Sequence, residues 1–147
     1  HGARLVTGGK RPEHLEGGYF VAPTIFDPVD PASRLFREEV FGPVLSVTEA
    51  PSLEAAIRLA NSVEFGLTAS IFTQDIDAVM RFVEETETGM VHVNEPTVGG
   101  EAQLPFGGTK STGVGEREMA EEGLHFFSEL KTVFINYSGK AERLMNR

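Results

Sequence analysis

Val44-Leu45-Ser46-Val47, Ser52–Ala60 (SLEAAIRLA), Leu67–Thr73 (LTASIFT), Asp75–Glu85 (DIDAVMRFVEE) and Met90–Val93 (MVHV) set the fold class. The first is a short run with β-branched ends. In the second, Ser52 is placed to cap a helix. Its Leu53, Ala56, Ile57 and Ala60 recur at i, i+3, i+4 and i+7, one apolar stripe on a helix. Leu67–Thr73 reads as a buried strand. Asp75 then caps a second helix with the stripe Ile76, Val79, Met80 and Val83. Gly89 suits the left-handed residue just past a helix end, and Met90–Val93 returns to strand. Residues 44–94 therefore predict β-α-β-α-β. Short-loop crossovers in series imply a parallel sheet with flanking helices, an α/β fold.

Outward from that stretch the chain is less regular. Residues 1–31 are rich in Gly and Pro and read as loops with short extended pieces at Tyr19–Val21 and Thr24–Phe26. Asn94–Gly115 reads as a loop of about 20 residues, a length that is often functional. A helix is expected over Glu116–Leu130, with Met119, Leu124, Phe126, Phe127 and Leu130 inside. A last strand follows at Thr132–Ile135, then a charged tail over 139–147.

Composition narrows the function classes. The 147 residues suffice for one domain with a core. Hydrophobic residues make up 40% and charged residues 24%, which is ordinary for a globular protein. No apolar run approaches the roughly 18 residues of a membrane helix, so no membrane partner is expected. The net charge of -9 opposes phosphate binding, so no nucleic acid is expected either. There is no cysteine, hence no disulfide, zinc-thiolate site or thiol nucleophile; this fits a cytoplasmic protein. The chain opens at His1 without an initiating Met, as a piece of something longer would.

Motif spacing alone carries little chemistry. Gly107-Gly108-Thr109-Lys110-Ser111 does not satisfy G-x-x-x-x-G-K-[ST]. Gly113-Val114-Gly115 lacks the third glycine of G-x-G-x-x-G, because Glu118 stands there. His1, His14, His92 and His125 show no zinc spacing, so no metal is expected. Glu84-Glu85 and Glu121-Glu122 read as solvated helix faces.

Three phrases carry a resemblance. Gly18–Phe26 (GYFVAPTIF), Glu38–Val44 (EEVFGPV) and Pro105–Gly113 (PFGGTKSTG) resemble, in order and spacing, phrases of the aldehyde dehydrogenase superfamily. The likeness runs from about Leu5 to Tyr137. It implies the C-terminal segment of an enzyme that oxidises an aldehyde or semialdehyde to a carboxylic acid with NAD or NADP. Residues 1–130 would be the C-terminal part of the catalytic domain, and 131–147 an oligomerisation strand and tail. The stretch Val91–Thr97 (VHVNEPT) is most like the α-ketoglutaric semialdehyde branch.

The resemblance implies roles by position. Glu39, the second Glu of EEVFGP, would accept hydrogen bonds from the ribose hydroxyls on the nicotinamide side of the cofactor; taken alone it reads as a loop carboxylate in solvent. Phe41 would pack near the nicotinamide, with a core aromatic as the alternative. Phe106 would border the aldehyde channel, and Glu95–Gln103 would line its entrance. The family phrase SGxGRE is lengthened here by one residue before Arg117. The nucleophilic Cys, the general-base Glu and the cofactor turn would lie before His1, so no catalytic residue is assigned and the chain alone is expected to be inactive. The strand at 132–135 would pair with a neighbouring subunit in a homodimer or homotetramer. Two other readings stand beside this one: a cysteine-free binding or assembly module with the fold but not the chemistry, and a small nucleotide-binding α/β protein.

Overall fold

The computed structural model describes residues 2–15 and 17–137. The chain begins with β1 (Leu5–Thr7) and β2 (Thr24–Phe26), a one-turn helix α1 (Arg34–Arg37) and β3 (Val44–Ser46). Then come α2 (Leu53–Asn61), β4 (Phe65–Gly66), β5 (Thr68–Ile71), α3 (Ile76–Glu85) and β6 (Met90–Val93). β7 (Thr109–Lys110) and α4 (Ala120–Phe126) close the order.

The strands form three sheets, not the single parallel sheet expected from two crossovers. β1-β2-β3 is mixed, β4-β7 is antiparallel, and β5-β6 is parallel. Two parallel pairs are joined by connections that carry a helix, β5-α3-β6 and β2-α1-β3. β3 lies beside β2, with Thr24 opposite Val44 and Phe26 opposite Ser46, and it does not pair with β5. Local periodicity marks a strand but leaves its neighbour open, because pairing is a long-range choice. Tyr19–Val21 forms no strand, and Leu5–Thr7 forms one that sequence reasoning missed.

Both helices begin where their caps predict. Ser52 Oγ accepts from Ala55 N at 3.2 Å, and Asp75 Oδ1 accepts from Asp77 N at 3.0 Å. Ser52→Ala in the intact protein is expected to cost about 1 kcal/mol of stability, read by urea titration; no change would show that the cap is dispensable. α3 ends on Thr86, whose N–H bonds Phe82 O at 3.1 Å. Gly89 is therefore not the residue that ends the helix. It lies further on, where the loop around Gly107 crosses it.

The stripes are rotated from their expected faces. α2 buries Ala55 and Ile57, while Ala56 and Ala60 are exposed. α3 buries Phe82, with Val79 half-buried and Ile76, Met80 and Val83 open to solvent. Each helix has an apolar arc wider than one stripe, and periodicity does not tell which flank meets the sheet.

The expected core is small. Val29, Ala55, Ile57 and Phe82 are the buried apolar residues among those described, while Phe41, Phe72, Phe127, Leu130 and Phe134 are exposed. Every residue of β5 and β6 is half-buried and none is fully buried. Parallel strands are normally covered on both faces, so part of the cover is not made by the described residues. Thr68 Oγ1, on β5, is likewise buried without a hydrogen-bond partner among them.

The C-terminal part departs most from expectation. Glu118 pairs with Phe106 in an antiparallel bridge, so the helix starts at Ala120 and not at Glu116. Met119, Leu124, Phe126, Phe127 and Leu130 are exposed, not inside. Residues 131–137 form no strand, since a strand needs an edge to pair with and none stands beside it among the described residues. The tail expected at 139–147 lies outside the described residues. No described helix is long and apolar enough to cross a membrane.

Candidate functional site

The first two phrases meet at the β2–β3 pair. Thr24 is buried and its hydroxyl is satisfied twice, accepting from Gly9 N at 2.8 Å and donating to Ala22 O at 2.7 Å. Its N–H donates to Pro43 O at 2.9 Å, which ties GYFVAPTIF to EEVFGPV. Gly8 makes this approach possible: it sits at φ 78, and any Cβ there would collide with Pro23 O.

The end of α1 sorts the two glutamates. Arg34 grips both carboxylate oxygens of Glu38 at 2.7 Å each. The guanidinium holds Glu38 below the ordinary carboxylate range, and the carboxylate raises Arg34. One turn is all that this pairing needs, because residues i and i+4 lie on one helix face. Glu39, exposed beside it, has no hydrogen-bond or ion-pair partner among the described residues. Phe41 follows in the left-handed region at φ 49 and is 91% exposed. Val44 N then donates to Gly42 O at 2.7 Å, closing the tight turn expected at Gly42-Pro43. A left-handed phenylalanine is strained and an open ring is poorly solvated. Together they mark a loop shaped to meet something. Leu35, Glu38, Glu39, Phe41, Val44 and Ser46 line a cavity of about 650 Å³ there.

The third phrase is folded into a braced turn. Phe106 and Glu118 exchange backbone hydrogen bonds at 2.7 Å each. Arg117 reaches back to Gly108 O at 2.6 Å. Thr109 Oγ1 donates to Glu87 O at 2.7 Å, and Lys110 Nζ meets Glu87 at 2.8 Å and Asn61 O at 2.6 Å. β7 pairs with β4, and Thr112 Oγ1 accepts from Gly66 N at 2.7 Å. The stretch expected to be plain loop is therefore largely anchored. The residue that lengthens the phrase falls in the exposed turn at 113–116, and Arg117 still makes its contact.

Phe106 lines a cavity of about 300 Å³ with His92, Glu95, Glu101, Leu104 and Met119. Glu101 stands in the wall, and Gln103 donates to it from outside. The structure thus brings Glu39 and Phe41 together and places Phe106 in a separate cavity; no described residue lines both. Sequence reasoning missed the brace made by Arg117 and the pair of His92 Nδ1 with Glu95 Oε1, 2.9 Å apart.

The comparisons with known proteins decide the family. A family model described as the aldehyde dehydrogenase family matches residues 1–133. The chain belongs to the aldehyde dehydrogenase family. It is 51% identical over 135 residues to 2,5-dioxopentanoate dehydrogenase of Saccharolobus solfataricus, covering 90% of this chain and 28% of that protein. It is 42% identical over 136 residues to the α-ketoglutaric semialdehyde dehydrogenase of Bacillus subtilis, covering 91% and 28%. Among solved structures, the NAD-dependent aldehyde dehydrogenase from Sinorhizobium meliloti superposes with a TM-score of 0.84 at 35% identity, covering 97% of this chain and 28% of that one. The Mycobacterium tuberculosis aldehyde dehydrogenase complexed with NAD+ gives 0.83 at 37%, covering 95% and 28%. This aldehyde dehydrogenase chain therefore spans little more than a quarter of the length of these relatives.

Proposed function

We propose that the chain is the C-terminal part of an NAD(P)-dependent aldehyde dehydrogenase and walls two sides of an active site whose nucleophile lies elsewhere in the same polypeptide. The observation that carries this is the Glu38–Glu39 division: both line one cavity, but one carboxylate is tied to Arg34 and its neighbour has no partner among the described residues. A free carboxylate can accept from two adjacent ribose hydroxyls at once. The exposed Phe41 ring offers an apolar face to a nicotinamide and would restrict water beside it. Residues present therefore fit the ribose–nicotinamide end of NAD(P)+, which when bound supplies the hydride acceptor. Phe106, in its braced turn, walls the approach of the aldehyde.

The open apolar surface supports the same reading. Half-buried parallel strands, exposed stripes on both helices and the orphaned Thr68 hydroxyl are what a segment shows when its cover belongs to the rest of the chain. Semialdehydes are the proposed substrate class, on the likeness to the two semialdehyde dehydrogenases. Val133, Phe134 and Ile135 are exposed and suited to pairing with a second subunit's sheet edge, so the intact protein is proposed to be a homo-oligomer.

A second reading, a cysteine-free module without chemistry, is favoured by one fact: the chain has no Cys. Aldehyde-dependent NADH or NADPH formation separates the two. The intact protein encoded with this segment is expected to be active and the 147-residue chain inactive. An inactive intact protein would overturn the enzyme reading, and activity of the chain alone would overturn the division of labour.

A further inference from the structure

His92 lines the Phe106 cavity and has no part in the assignments above. His92 and Ser70 stand opposite each other in the β5–β6 register. Both reach the same residue beyond the end of β6. Ser70 Oγ donates to the backbone oxygen of Glu95 at 2.6 Å, and His92 Nδ1 stands 2.9 Å from Glu95 Oε1. A carboxylate can only accept, so Nδ1 carries the proton. Asn94 makes this possible by turning the chain in the left-handed region at φ 57, with its own side chain bonded to Thr73 N at 2.8 Å and Thr73 O at 2.9 Å. Glu95 is thus held by backbone and side chain where the strand becomes loop.

That junction is a shared wall. His92 and Glu95 line the cavity of about 300 Å³ that holds Phe106 and the adjoining cavity of about 280 Å³ that holds Pro96 and Val98. The His92 side chain is 16% exposed, while Glu95 is 64% exposed. The buried partner therefore fixes the open one. We propose that His92 is a positioning residue: by holding Glu95 it sets the course of the loop from Glu95 to Leu104, and with it the shape of the wall facing Phe106 that receives the aldehyde's chain. This rests on the proposed aldehyde-oxidising function. Placement of a substrate wall within fractions of an ångström governs how well a substrate is held, without touching the reacting atoms.

The test uses steady-state kinetics of the intact enzyme with propanal, octanal and a semialdehyde. His92→Phe keeps a ring and removes the donor. It is expected to raise the aldehyde KM about tenfold for the preferred substrate, the equivalent of one charge-assisted hydrogen bond. The kcat and the KM for the cofactor are expected to stay within about twofold. His92→Asn places an amide nitrogen near the position of Nδ1 and is expected to recover most of the loss. Glu95→Ala breaks the same bond from the exposed side, where folding is not at risk, and is expected to reproduce the rise in KM; combined with His92→Phe it adds nothing further. An unchanged aldehyde KM in both single variants, a fall confined to kcat, or a His92→Asn enzyme as impaired as His92→Phe would overturn the proposal while leaving the enzyme reading intact. An unsubstituted protein inactive toward every aldehyde would overturn both.

Discussion

Replacing Glu39 with Gln in the intact enzyme is expected to raise the KM for NAD(P)+ by about 10- to 100-fold, the equivalent of one or two hydrogen bonds to a charged acceptor. The argument is local. Arg34 bonds both oxygens of Glu38, so a ligand at that carboxylate would compete with a bidentate pair already made. Glu39 is the next residue, lines the same cavity and has no partner among the described residues. An amide keeps one acceptor oxygen but loses the charge and the second acceptor, so two vicinal hydroxyls can no longer both be held. Glu38→Gln is the control: its pair is exposed, and exposed pairs contribute little, so the KM for the cofactor should stay within about twofold. The two variants are compared by initial rates at saturating aldehyde. Equal behaviour of both, or a larger effect at Glu38, would mean that the division of labour between the two carboxylates is wrong.

Gly89→Ala carries the other large effect. A Cβ at Gly89 would collide with Gly107 O and stand 2.5 Å from Arg117 Nη1 and 2.7 Å from Gly108 Cα. Two of these three obstacles are backbone, which cannot rotate away. The turn at Gly107-Gly108 must therefore shift, and Arg117, which braces it through Gly108 O, must shift with it. Overpacking of this kind costs about 1–3 kcal/mol. The thermal midpoint of the intact protein is expected to fall by several degrees, and the aldehyde KM to rise because Phe106 is adjacent to the displaced turn. Gly113→Ala is the contrast, since nothing stands within 4 Å of a Cβ there; it is expected to change stability by no more than about 0.5 kcal/mol. If differential scanning calorimetry shows equal midpoints for both variants, the crossing at Gly89 is not the tight point that the structure describes.

The sequence made local features readable and long-range ones not. Ser52 and Asp75 cap helices because an N-cap acts over three residues. Met90–Val93 is a strand on the strength of its own composition. The partner of β3 was not readable, since nothing in Val44–Ser46 distinguishes an edge offered to β2 from one offered to β5. The inward flank of α3 is not readable for a similar reason: Phe82 and the Ile76–Val83 stripe are both apolar, and only packing chooses between them. Leu5–Thr7 escaped notice because it is three residues long and next to Gly8-Gly9. The stretch 132–135, expected as a strand, pairs with no strand among the described residues.

The site was legible in a different way. Glu39, Phe41 and Phe106 were named through the three phrases and not through spacing, and the structure supplies what the phrases omit. Arg34 shows why the second glutamate and not the first is free. The bridge from Phe106 to Glu118 shows what steadies the aromatic ring's backbone. His92 reads as strand and Glu95 as loop beyond its end, and nothing in that reading brings the two side chains together. Only the left-handed turn at Asn94 folds Glu95 back, and a residue of that type tolerates such a turn without announcing it.

A crystal structure of the intact protein with bound NAD(P)+ tests the central claim most directly. The account predicts the Glu39 carboxylate within hydrogen-bonding reach of both hydroxyls of the nicotinamide ribose, Phe41 against the nicotinamide, and Phe106 facing a cysteine thiol contributed by another part of the polypeptide. A cofactor seated away from the Glu39 cavity, with Glu39 still in solvent and Phe106 turned from any thiol, would contradict it.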